Sequence, residues 1–140
     1  LTGLKEHVSG LRTYTAAEDG RLLHDLPDGE LADPERPAPA RYVADFDNLV
    51  LGHADRSRVV PEAFRGRVMT VNGIVRGTVL VDGFVAGTWR FVRGRSRASV
   101  AVTPFAPLPA QARTALTAEG LRLLSASDPG VAHEVTFPQP

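Results

Sequence analysis

The 140-residue chain has no cysteine, which excludes disulfide staples and thiolate metal sites and fits a reducing compartment. No apolar run is long enough to cross a bilayer. The charged start, apolar stretch and small-residue cleavage site of a signal peptide are missing too, so a cytoplasmic location is expected. The sequence opens Leu1-Thr2-Gly3-Leu4 with no initiator methionine, and it is read as a fragment of a longer protein. Lysine is nearly absent: of sixteen basic residues, only Lys5 is not arginine.

What is present is ordinary in amount and uneven in arrangement. Hydrophobic residues make up 43% and charged residues 23%, enough for one compact domain with a core. Net charge is zero, yet residues 1–35 carry −5, residues 36–100 carry +6 and residues 101–140 carry −1. Arginine binds phosphate bidentately and stacks on bases, so a basic centre permits a nucleic-acid surface. A solvated set of strand arginines satisfies the same composition.

Three regions follow one another. In residues 1–31, Thr2 can cap a short helix in which Leu4, Val8 and Leu11 share a face. The runs Arg12–Ala16 and Arg21–Leu26, separated by Glu18-Asp19-Gly20, predict a β-hairpin. A helix followed directly by a hairpin is how a winged-helix unit ends. Residues 32–40, with Pro34, Pro37 and Pro39, predict a linker.

Residues 41–140 predict one β-rich domain of α+β class. Arg41–Phe46 reads as a strand, and Asp47-Asn48 opens a turn or short helix through Leu51. An antiparallel meander is expected over residues 67–103, with strands at 67–71, 74–81, 84–93 and 98–103. Its turns are Asn72-Gly73, Asp82-Gly83 and Gly94-Arg95; Asn-Gly and Asp-Gly suit the positive φ of type I′ hairpins. Alternation places Val85, Trp89 and Phe91 on one face, and Ala98, Val100 and Val102 on one face. Such a sheet needs a cover or must curl toward a small barrel. Pro109 to Leu124 supplies a helix with an apolar stripe. Asp128-Pro129-Gly130 ends that helix, and Val131–Phe137 predicts a closing strand.

Chemistry-bearing patterns are few. His7, His24, His53 and His133 have no metal-ligand spacing, and no P-loop, dinucleotide fingerprint or nucleophile elbow occurs. Asp45, Asp47 and Asp55 lack the remaining ligands of a calcium loop, and Asp47-Asn48 and Asp55 read as caps. No metal, cofactor or catalytic residue is assigned. Glu119 borders the helix stripe, where pairing with a sheet arginine is the common use. Arg41, Arg56, Arg58, Arg65 and Arg67 form the densest basic stretch, suited to phosphate contact.

Several segments, taken in order, resemble one bacterial family. They are Thr2-Gly3-Leu4, Asp25-Leu26-Pro27, Pro39–Asn48, Leu51–Val59, Asn72-Gly73, Val79–Trp89 and Glu119-Gly120-Leu121. The family comprises winged-helix DNA-binding domain proteins and includes the bacterial interstrand-crosslink DNA glycosylases. Phe46-Asp47-Asn48 and Val81-Asp82-Gly83-Phe84, with Gly87 and Trp89 following, are the most specific parts. The resemblance implies a C-terminal portion: the last helix and wing of a winged-helix unit, then a β-rich domain. In the glycosylases a Gln-apolar-Gln signature lies in the N-terminal part. Here the only glutamines are Gln111 and Gln139, so no catalytic residue carries over.

The expected role is a DNA-binding accessory region of a winged-helix protein whose catalysis lies elsewhere in the parent. Double-stranded DNA is the expected partner, with no membrane. Arg41, Arg56, Arg58, Arg67 and Arg76 are the expected phosphate contacts. The alternative is a structural buttress with its arginines spread among carboxylates. An independent enzyme would need a polar pocket near Glu119 or Asp82.

Overall fold

The computed structural model describes residues 10–53 and 55–138. They divide into two compact units, one ending at Arg36 and the other beginning at Pro37. The helix expected over residues 2–11 falls almost wholly outside the described residues.

The first unit is the expected hairpin. Strand β1 (Arg12–Thr15) pairs antiparallel with β2 (Leu22–Asp25), with Arg12 opposite Asp25 and Thr15 opposite Leu22. Beyond the strands the Ala16 N–H donates to the Arg21 carbonyl at 2.8 Å, and Gly20 adopts φ 71° to close the loop. The Arg12 side chain ties the hairpin to the following segment by donating to the Pro27 and Gly29 carbonyls.

The second unit holds a five-stranded sheet in the order β3-β4-β5-β6-β7. Its strands are β3 (Arg41–Val43), β4 (Thr78–Val81), β5 (Phe84–Arg93), β6 (Arg97–Pro104) and β7 (Ala132–Thr136). Strands β3 to β6 pair antiparallel with one another, whereas β7 runs parallel to β6. A parallel neighbour requires a crossover, supplied by helix α3 (Ala110–Ser127), which Pro109 immediately precedes. The sheet is open: its edge strands β3 and β7 do not pair, so it does not close into the small barrel expected.

The meander begins later than the sequence predicts. Residues 67–71 are not a strand: a 3₁₀ turn at Glu62–Phe64 runs into the short helix α2 (Arg65–Val68). Staying helical there places Val68 in the core. Extended pairing survives only as a bridge between Met69 and Val75. The turn between them is a three-residue loop, not a type I′ pair. The Gly73 N–H donates to the Thr70 carbonyl, the Thr70 N–H to the Ile74 carbonyl, and Gly73 alone has positive φ, at 77°. Asp82-Gly83 does match type I′, with φ of 51° and 79°.

A bulge divides the sheet's two faces. Val79 faces Gly87 and Leu80 faces Val85, which leaves Ala86 as the extra residue. Val85 therefore packs with Val43, Val50, Val60, Val68, Val75 and Leu80, whereas Trp89 and Phe91 pack on the opposite core. The expected shared face of Val85, Trp89 and Phe91 is corrected accordingly, because one extra residue reverses the alternation. Gly87 is needed there: a Cβ would lie 2.6 Å from the Thr103 carbonyl oxygen.

The core on the other face joins Val79, Ala98, Val100 and Val102 to Leu116 and Leu124 of α3. Tyr42 meets Trp89 edge-on with ring centroids 5.3 Å apart, and the Trp89 indole N–H donates to the Val43 carbonyl at 2.8 Å. The Val43-side core is covered by α2 and by α1 (Asn48–Leu51), which Asp47 caps through the Leu49 N–H at 2.8 Å. Asp55 likewise accepts from the Ser57 N–H at 3.0 Å.

Candidate nucleic-acid interface

The arginines fall into two sets. In the first, carboxylates on or beside α3 neutralise their partners. Glu119 takes Arg41 from strand β3 at 3.4 Å and Arg122 from its own helix. Asp128, at the end of α3, takes the Arg93 guanidinium in a two-pronged contact at 2.6 and 3.0 Å. The hydrogen bond from Arg93 and a second from Ser127 hold the Asp128 carboxyl below its ordinary range. Arg97 pairs with Glu134 across β6 and β7 at 3.0 Å, and Arg65 pairs with Glu62 at 3.7 Å.

The second set has no carboxylate within ion-pairing distance among the described residues. It includes Arg67, Arg76 and Arg90, together with Arg12, Arg36, Arg56, Arg58, Arg95 and Arg113. Arg67 lies over the Phe105 ring at 4.3 Å and donates to the Phe105 carbonyl at 3.1 Å. Arg76 and Arg90 line an open groove of about 710 Å³ together with Asp45, Thr88, Ala101 and Thr103. Strand alternation explains its position. Val100 and Val102 point toward α3, so Ala101 and Thr103 point away from it, and Arg90 lies between two residues of the α3-side core. Beyond the bulge, that outward face has no helix over it and carries cations and hydroxyls.

The five arginines expected at phosphates therefore do not form one cluster. Arg76 lines the groove and Arg67 lies on α2, whereas Arg41 already shares Glu119. Arg58 is exposed on the segment between α1 and the 3₁₀ turn. Arg56 is half-buried, donating to the Leu51 carbonyl at 3.4 Å while its Nε is buried without a partner. Arg90 was not singled out by the sequence, because its neighbours Trp89 and Phe91 mark a core strand; period-2 alternation was the signal that identifies it.

Glu119 proves to be a salt-bridge acceptor, as its place on the helix border predicts. Tyr42 is equally structural: its hydroxyl donates to the Leu116 carbonyl at 3.0 Å, and burial first, then the Glu119 charge, raises its pKa. Among the described residues no group of acidic or histidine side chains is arranged to hold a metal, and no helix is long and apolar enough to cross a membrane.

Among solved structures, the Streptomyces sahachiroi DNA glycosylase AlkZ superimposes with a TM-score of 0.73 at 24% identity, over 98% of this chain and 35% of that one. At that identity the likeness speaks for the fold, and this chain spans about a third of that protein's length. No curated protein matches the chain. A family model described as DNA glycosylase AlkZ-like matches residues 2–126. That match runs through the hairpin, strands β3 to β6 and nearly all of α3, so the chain belongs to the AlkZ-like DNA glycosylase family.

Proposed function

We propose that this chain is a DNA-binding accessory region of a DNA-repair glycosylase, acting in the cytoplasm on double-stranded DNA. In this reading the catalytic residues lie in other parts of the parent protein. Residues 1–31 would be the last helix and wing of a winged-helix unit, and the sheet domain would grip the phosphate backbone. Family membership supplies the reaction class. The observation that carries the DNA contact is the separation of the arginines. Arg41, Arg93 and Arg122 are neutralised by Glu119 and Asp128, while Arg67, Arg76 and Arg90 keep their charge available to phosphates. Arg56 and Arg58 extend the basic surface along the sequence, and Arg41 joins it only by leaving Glu119.

A buttressing role is favoured by the other half of the same observation. Arg41–Glu119, Arg93–Asp128 and Arg97–Glu134 each join two elements of the fold. Both roles can coexist on different sides of one domain. The test is base excision on crosslinked and alkylated duplexes, measured for the full-length protein and for this chain alone. Excision by the full-length protein only is the expected result, with duplex binding weakened in the full-length protein by removal of Arg67 and Arg76. Excision by this chain alone would place the chemistry inside it. Binding that ignores both arginines would leave only the buttressing role.

A further inference from the structure

Phe46 is a bulky residue in a backbone conformation that bulky residues avoid. Its φ is 58°, in the left-handed region, where Cβ crowds the carbonyl oxygen. Burial does not explain the strain, since Phe46 is 56% exposed although Val43, Val50 and Val75 beside it in the chain or the fold are buried. The loop that holds it is fixed from several directions. Its own N–H donates to the Val75 carbonyl at 3.3 Å. On one side Asp45 accepts from the Gly77 N–H, and on the other Asp47 caps α1. Strain held in place by its surroundings is a mark of functional positions.

The setting indicates what the ring meets. Asp45, next in the chain, lines the groove that holds Arg76 and Arg90. Val75, which accepts the Phe46 N–H, is flanked by Arg76 and by Ile74, 51% exposed; beyond Ile74 the loop ends in the fully exposed Val71. Phe46 and Ile74, both exposed, are thus chain neighbours of the groove residues Asp45 and Arg76, and the groove's two arginines form no ion pair among the described residues. The carboxylates flanking Phe46 are engaged with backbone N–H groups. Exposed apolar side chains adjoining in sequence the residues of a cationic groove match one chemistry, a nucleobase next to its own backbone.

We propose that Phe46 stacks on a nucleobase of DNA while Arg76 and Arg90 hold the adjoining phosphates. This rests on the DNA-binding reading above and adds a residue that the basic pattern does not reveal. Phe46→Gly removes the ring and the strain together, and Phe46→Asn keeps a side chain that accepts positive φ. Both are expected to melt no lower than the wild type and yet bind duplex DNA about tenfold or more weakly in the full-length protein. A duplex with 2-aminopurine opposite a mismatch is expected to change fluorescence with wild type and not with Phe46→Gly. Replacing Arg76 and Arg90 by Ala is expected to weaken binding and flatten its salt dependence by about two phosphate contacts, while Arg122→Ala leaves both unchanged. Wild-type affinity in both Phe46 variants would overturn the stacking role and leave the DNA reading standing. Lower melting temperatures in both would show that Phe46 is held for packing, which also overturns it. A wild-type protein that binds no duplex would overturn both readings.

Discussion

Tyr42 and Gly120 approach so closely that no side chain fits between them: a Cβ at position 120 would lie 2.8 Å from the Tyr42 hydroxyl oxygen. The same Cβ would lie 2.8 Å from a methyl carbon of Val135. This contact sets how near α3 lies to strands β3 and β7. The hydroxyl meanwhile serves the helix by bonding the Leu116 carbonyl. Gly120→Ala gains about 1 kcal/mol of helix propensity but overpacks a closed contact, which costs about 1–3 kcal/mol. A net loss is expected in urea unfolding. Tyr42→Phe loses about 1 kcal/mol with the hydrogen bond, and it also deletes one of the two atoms nearest the new methyl group. The double variant is therefore expected to lose less than the two single losses combined. Strict additivity would show that Val135 alone sets the limit.

The Arg93–Asp128 contact ties strand β5 to the end of α3, and its strength follows pH in a defined direction. Asp128 has a folded-state pKa below its unfolded value. Its contribution is therefore present above the ordinary carboxylate range and disappears as pH falls through the lowered folded value. Wild type is expected to melt above Asp128→Asn at neutral pH, and the gap should close on acidification. Because the pair lies at the surface, high salt should narrow the gap as well. A gap that persists in acid would assign the effect to helix capping rather than to charge.

How much of this was legible in the sequence depends on the range of the forces involved. The hairpin at Asp82-Gly83, helix α3 and the cap at Asp47 are fixed by local backbone chemistry, and the residues themselves announce them. Residues 67–71 misled because Val68, Thr70 and Val71 favour strands, while the fold needed Val68 inside a core assembled from residues 43 to 85. Alternation along β5 failed at Ala86, since a bulge is a property of two strands and not of one. The groove escaped for the same reason: Arg76 and Arg90 lie 14 positions apart in sequence and are brought together only by the β4–β5 pairing. Phe46 belongs to a segment noticed for its resemblance, but its strain and exposure are visible only in three dimensions.

Asp82 occupies the first central position of a type I′ turn, at φ 51°. Aspartate tolerates that conformation better than a β-branched residue, whose second Cβ substituent worsens the clash. Asp82→Val is expected to destabilise the domain by about 1–2 kcal/mol. Asp82→Asn should be nearly neutral, and Asp82→Gly should follow it closely. Equal losses for Val and Asn in denaturant unfolding would point instead to the aspartate charge.

Thr78 is the one fully buried polar residue of the described core, and its hydroxyl has no hydrogen-bond partner. It sits in β4 opposite Thr88, where the strand passes between the two hydrophobic clusters. An unsatisfied buried hydroxyl costs roughly 1–3 kcal/mol relative to a satisfied one. Valine has nearly the same shape and keeps the β-branched backbone preference of the strand. Thr78→Val is therefore expected to stabilise the domain by about 1 kcal/mol, read as a higher urea midpoint with an unchanged slope. Thr78→Ser, which keeps the hydroxyl and removes the methyl group, should lose about 1 kcal/mol. A destabilised valine variant beside a nearly neutral serine variant would mean that the hydroxyl does have a partner, such as a bound water reached from the Arg76 groove.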